Sequence, residues 1–151
     1  MHDHSSAHED LLKLDRQLCF ALYSASLAMT KLYKPLLAPL GLTYPQYLVM
    51  MVLWENQDLT VNELGDRLQL DSGTLTPLLK RLETAGLVRR QRDPGDERRV
   101  RVTLTPEGHS LKDRAQAIPQ AVGCQTNLAE QEIASLRTTL VELRKRLLAE
   151  P

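Results

Sequence analysis

Apolar residues recur at three- and four-residue steps at both ends of this chain, and the two stripes exceed what the shorter segments between them can cover. From about Glu9 to Leu37 the stripe is Leu11, Leu14, Leu18, Leu22, Met29, Leu32 and Leu36; from about Ala129 to Ala149 it is Leu136, Leu140, Leu143 and Leu147. Such spacing puts the side chains on one face of an α-helix. Two long apolar faces around a small middle call for a shared helical interface, so a homodimer is expected.

The middle of the chain alternates helix and ribbon signals. With 151 residues, 42% apolar and 25% charged, it has the composition of one ordinary globular domain. Pro35 and Pro39 disturb the end of the first helix, and Gly41 closes it. Pro45 suits the first turn of a second, which runs to about Asn56 and is apolar nearly all round, hence buried. Thr60, with Glu63 three residues on, reads as the capping box of a short third helix. Asp71-Ser72 opens a fourth, with Leu75, Leu78, Leu79 and Leu82 inward, which reaches about Ala85 and is closed by Gly86. Pro77 leaves its entry open between a short irregular turn and a regular start near Thr76. Leu87 to Arg92 and Val100 to Leu104 alternate as a two-stranded ribbon, joined by the turn residues Asp93-Pro94-Gly95-Asp96. Thr105-Pro106-Glu107 starts a fifth helix, which Pro119 and Gly123 interrupt or end, leaving Cys124 in a break before the sixth. The expected fold is mainly α with a small β-wing: a winged helix-turn-helix at residues 43–104, flanked by dimerisation helices at 9–38 and 105–149, in a single domain spanning 1–151.

Formal net charge is zero, so only local charge bears on a nucleic-acid partner. Between Lys80 and Arg101 there are eight bases and four acids. In a helix-turn-helix the second helix enters the major groove by its N-terminal residues. Here those are Asp71, Ser72, Gly73, Thr74 and Thr76, with Lys80 and Arg81 further along for phosphates. A solvated helix face would show the same residues. The ribbon adds Arg90, Asp96, Arg98 and Arg99: the two last follow the turn and project toward a minor groove, with Asp96 placed to fix the Arg98 side chain. A surface ion pair is the plainer account of Asp96 and Arg98. Arg89, Arg92 and Arg101 add to the positive ribbon.

The runs Thr60-Val61-Asn62-Glu63-Leu64 and Leu70 to Glu83, and the wing Asp96-Glu97-Arg98-Arg99-Val100 leading to Leu104-Thr105, resemble the MarR family. With Cys19 and its tyrosines, they resemble more narrowly the organic hydroperoxide resistance regulators (OhrR) of the two-cysteine type, over roughly Asp10 to Leu148.

The residues themselves support a reactive thiol. A buried cysteine alone is often just a small hydrophobe. Tyr23 lies one helical turn after Cys19. Tyr33, fourteen residues on, returns to nearly the same face but sits about 21 Å along the axis, so it can reach only the Cys19 of a crossing partner helix. Tyr44, beyond the helix end, follows the same logic. Phenol hydroxyls donate to a thiolate and favour it. The resemblance implies Tyr33 and Tyr44 as donors across the dimer, and an intersubunit disulfide between Cys19, the sensing thiol, and Cys124, the resolving one. It also implies a repressor of a peroxide-removing gene, with double-stranded operator DNA as partner and organic hydroperoxides as inducer. Leu18, Phe20, Leu22, Met50 and Met51 are candidates to line a pocket for the peroxide's tail, although helical core is the commoner use of such residues.

A regulator that binds a small aromatic ligand is the nearest rival. A thiol peroxidase is a more distant one, since neither C-x-x-C nor a thioredoxin-like strand pattern is present. The expectation is therefore not an enzyme. No cofactor or metal is expected; His2, His4 and His8 read as a polar tail. No apolar run approaches the roughly 18–20 residues of a membrane span, and Met1 to Ala7 lacks a leader pattern, so a cytoplasmic protein is expected.

Overall fold

The computed structural model describes residues 10–149. His2, His4, His8 and the expected helix start at Glu9 lie outside them. The chain divides into two compact units, Met1–Arg114 and Ala115–Pro151.

In the first unit, the regular helix α1 spans Leu18–Leu37, later than the leucine periodicity implies. A 3-10 turn at Leu14–Arg16 precedes it. Gln17 is extended, with φ −88° and ψ 120°. Its side-chain amide donates to the carbonyls of Leu11 and Lys13, the latter at 3.0 Å. In a continuous helix Lys13 would receive the backbone N–H of Gln17; the side chain takes that place and breaks the run. Pro35 sits inside the last turn of α1. A 3-10 turn at Ala38–Leu40 follows, and Gly41, at φ 69°, ends it. Of all α1, only Leu37 is buried.

Helix α2, Tyr44–Glu55, is opened by a capping box that the sequence reading missed. Gln46 N donates to Thr43 Oγ1 at 3.4 Å, and Thr43 N donates to Gln46 Oε1 at 3.0 Å. The helix buries Tyr47, Val49, Met50, Val52 and Leu53, as its uninterrupted apolar run requires. Strand β1, Asp58–Thr60, was not anticipated; three residues are too few to show alternation. Thr60 caps α3, Val61–Leu68, by accepting from Glu63 N at 3.2 Å. Its hydroxyl donates to Glu63 Oε1 at 3.0 Å, so Glu63 answers the hydroxyl rather than the backbone of the cap.

Helix α4 spans Ser72–Thr84 and turns Leu75, Leu79 and Leu82 into the core. It is regular from Ser72 through Pro77, which settles the entry left open by sequence. Pro77 has no N–H for the carbonyl four residues back, that of Gly73. Strands β2 (Val88–Asp93) and β3 (Asp96–Leu104) form the ribbon. With β1 they make an antiparallel sheet in the order β1-β3-β2. Helix α5, Pro106–Ala115, begins against the α4–β2 connection. A Cβ on Gly108 would fall on the Leu87 carbonyl, so the close approach requires glycine. Trp54 Nε1 donates to the Gly108 carbonyl at 2.9 Å. Buried Thr105 donates its hydroxyl to the Gly86 carbonyl and accepts from Gly108 N at 3.1 Å. These bonds join α2, α4 and α5.

The second unit holds α6, Ile118–Thr126, and α7, Glu130–Leu148. The fifth helix therefore ends earlier than expected. Pro119 lies in the first turn of α6, where a missing N–H costs nothing, and Gly123 is interior to that helix. Cys124 is in its last turn, not in a break between helices. Asn127, at φ 58°, closes α6. No described residue of α7 is buried, and Leu136, Leu140 and Leu147 are exposed. Among the described residues no single helix is long and apolar enough to cross a membrane.

Candidate functional site

The N-terminal end of α4 presents Ser72, Gly73, Thr74 and Thr76 to solvent, with Lys80 and Arg81 exposed further along. Asp71 has another task. Its Oδ1 accepts from Thr74 N at 2.7 Å, so it caps the helix. The backbone bond to Thr74, then the Thr74 hydroxyl, hold its carboxyl below the usual range.

The wing departs from the projecting-tip picture. Asp93 faces Asp96 and Arg92 faces Val100, with a register shift between Arg92 and Asp93. Glu97, Arg98 and Arg99 thus face no residue of β2: they form an excursion from the ladder. Arg98 and Arg99 are exposed there. Asp96 does not hold the Arg98 side chain as expected. Its Oδ1 accepts from the Arg98 backbone N–H at 3.0 Å and fixes the bend instead.

Two arginines of the basic stretch are engaged. Arg90 donates from its backbone N (2.9 Å) and from its guanidinium (3.1 Å) to the two oxygens of Glu83. Those bonds hold the Glu83 carboxyl below the usual range and tie β2 to α4. Arg90 Nε is buried without a partner. Arg101 makes a two-pronged pair with Asp58, at 3.0 and 2.9 Å, and reaches Asp93 at 3.4 Å. Lys80, Arg81, Arg89, Arg92, Arg98 and Arg99 remain, all exposed. A cleft of about 240 Å³ between α3, α4 and the wing is lined in part by Asn62, Thr76, Arg90, Arg98 and Arg99.

The thiol residues divide between the two units. Cys19 is the second residue of α1; Cys124 lies in α6; both are free and exposed. Around Cys19, the apolar residues Leu18, Phe20, Tyr23 and Leu27 are exposed as well. Tyr33 and Tyr44 are brought together, with ring centroids 4.7 Å apart, and Tyr47 joins them at 5.8 and 6.4 Å. Tyr47 was read only as core, because nothing in its spacing from Cys19 singles it out. Burial, then the neighbouring phenols, push Tyr33 up to about 12; burial also raises Tyr44 and Tyr47. All three are neutral phenols near neutral pH. Tyr23, 63% exposed, is not part of this cluster. Met50 is fully buried in the core, which withdraws it from any open pocket. Within the second unit, a cleft of about 800 Å³ is lined by Pro119, Gly123, Cys124, Leu128 and Arg137, among others. Among the described residues, no three His, Cys, Asp or Glu side chains cluster as a metal site.

A family model described as transcriptional regulator SarA/Rot matches residues 31–115. The chain is 50% identical over 142 residues to the HTH-type transcriptional regulator TtmR of Methylorubrum extorquens, covering 94% of this chain and 73% of that protein. It is 47% identical over 138 residues to the organic hydroperoxide resistance transcriptional regulator of Bacillus subtilis, covering 91% and 94%. Among solved structures, reduced AbfR bound to DNA superposes with a TM-score of 0.76 at 36% identity, covering 94% of this chain and 99% of that one. Disulfide-formed AbfR superposes less closely, with a TM-score of 0.63 at 37% identity over 93% and 98%. AbfR is a protein of Staphylococcus epidermidis.

Proposed function

The chain belongs to the SarA/Rot and MarR-type family of winged-helix transcriptional regulators, in its organic hydroperoxide resistance (OhrR-like) branch, and from that premise we propose that it is a homodimeric repressor released from its operator by organic hydroperoxide. One observation carries the redox part of this reading. Cys19 is an exposed thiol on an exposed apolar helix, and that helix also carries Tyr33, which clusters with Tyr44 and Tyr47 of α2.

Helices α1 and α7 leave apolar stripes uncovered, and a second copy would cover them. If α1 crosses its counterpart, the hydroxyls of the partner's Tyr33 and the partner's Tyr44 reach the Cys19 sulfur and stabilise its thiolate. The thiolate attacks one peroxide oxygen. An S–O bond forms, the O–O bond breaks, and the alkoxide leaves as the alcohol after taking a proton. The sulfenic acid then condenses with the thiol of Cys124 from the other protomer, forming S–S and releasing water. A disulfide requires its Cα atoms within about 7 Å, so closing it pulls on the helices that carry the readers. Reduced and overoxidised AbfR, both bound to DNA, superpose equally well, with TM-scores of 0.76, against 0.63 for the disulfide form, which supports reading this conformation as one without the disulfide.

On DNA, the two α4 helices would lie in successive major grooves, about 34 Å apart. Ser72, Gly73, Thr74 and Thr76 approach base edges, Lys80 and Arg81 the phosphates. Arg98 and Arg99 enter the flanking minor groove. Asp71 serves this surface as its cap, and Arg90 as the tie between wing and helix. The test is fluorescence anisotropy on a pseudo-palindromic site selected from random duplexes, titrated with cumene hydroperoxide. Wild type should release the site and run as a linked dimer without reductant. Cys19→Ser should stay bound, whereas Cys124→Ser should lose the linked dimer. A Cys19→Ser protein that still lets go on peroxide treatment rejects the mechanism.

A further inference from the structure

The ion pairs at Arg101 bear on how the wing is aimed. Residues opposite each other in the sheet share a face, and Asp58 faces Thr103, Thr60 faces Arg101 and Gln91 faces Arg101. Arg101 on the central strand β3 is therefore the diagonal neighbour of Asp58 on one edge strand. It reaches Asp93 at the end of the other. Diagonal neighbours in an antiparallel sheet are within reach of a long side chain. One guanidinium thus spans all three strands, with two bonds to Asp58 and one to Asp93. Asp93 is itself fixed, since its Oδ1 accepts from Gly95 N at 2.9 Å in the wing turn. At the other end, β1 runs directly into Thr60, the cap of α3.

We propose that the Asp58–Arg101–Asp93 cluster is a latch that aims the wing relative to the reading helices, and that Asp58 is thereby a positioning residue for operator recognition. This rests on the DNA-binding reading above. Two observations favour position over simple attraction. The cluster carries two carboxylates against one guanidinium, the wrong balance for a surface meant only to draw in phosphate. Arg101 and Asp58 are also 43% and 48% exposed, and exposed pairs add little to global stability. What the cluster does is remove freedom from the strand that carries Arg98 and Arg99.

The sign of one substitution separates the alternatives. Removing an acid from a DNA-binding surface ordinarily tightens binding to any duplex. If the latch operates, Asp58→Asn weakens operator binding about tenfold, while binding to random duplex stays level or tightens and the melting temperature is essentially kept. In a double-mutant cycle with Arg101→Gln, the second substitution adds little to the first, because both undo the same contact. If Arg101 instead touches phosphate, Arg101→Gln weakens all duplexes alike and lowers the salt slope by about one, and Asp58→Asn tightens them. That outcome, or an Asp58→Asn protein that holds its operator as well as wild type, overturns the latch alone. A wild-type protein that binds no duplex overturns the functional reading and the latch together.

Discussion

At the scale of single residues, two side chains serve ends that their neighbours in sequence disguise. Asp71 stands among candidate base readers, yet its carboxylate is committed to Thr74 N. Asp71→Ala should lower the midpoint of urea melts, as the loss of an N-cap does. Asp71→Asn should recover most of that loss, and operator affinity should follow the stability rather than the charge. Tyr33 supplies a second test. Its folded pKa of about 12 lies above the ordinary value of 10. The native chain therefore holds a proton that the unfolded chain has lost. The stabilisation is complete below pH 10 and drains away as pH rises toward 12. Phenolate absorbance should show the clustered tyrosines titrating above the ordinary value, and Tyr33→Phe should remove the last step. Although the box at Thr43 and Gln46 went unread, the cap at Thr60 was legible, because Glu63 lies three residues away. The arginine pairings were not, because Asp58 and Arg101 are 43 positions apart.

At the scale of elements, the helices were legible wherever a leucine stripe coincided with a cap or a glycine stop. Gly41 and Gly86 end theirs at φ 69° and 78°. The failures have physical causes. Strand β1 is three residues long and owes its existence to β3 rather than to its own pattern. The break between α5 and α6 falls at Gln116 and Ala117, before the proline that was expected to mark it. The wing was read as a plain hairpin because a register shift leaves no trace in residue type. The buried face of α4 gives the element-scale prediction. Leu79 is fully buried, so Leu79→Ala should destabilise by about 2–5 kcal/mol in chemical denaturation. Thr76→Ala, on the exposed face, should leave the denaturation midpoint nearly unchanged while reducing operator affinity.

At the scale of the whole molecule, the flanking helices matter more for what they leave uncovered than for what they bury. Leu136 and Leu140 of α7 are 50% and 40% exposed. Replacing both by glutamate puts charge where a second copy would pack, and sedimentation should then find a monomer that no longer binds its operator. Sedimentation of the parent chain as a monomer at micromolar concentration would refute the dimer instead. The uncovered stripes themselves were legible early, because an apolar stripe without a partner shows in the sequence as plainly as in the fold. The proposed meeting of the thiols was not, since it would depend on a crossing between two chains.

The three residues that stand outside the wing's ladder carry a consequence for how such regulators diverge. No residue of β2 stands opposite Glu97, Arg98 and Arg99, so their side chains escape the cross-strand packing rules that police the paired positions on either side. A lineage can retune which promoters it answers to at that spot while the thiol chemistry proposed for Cys19, seated on another helix, is inherited intact.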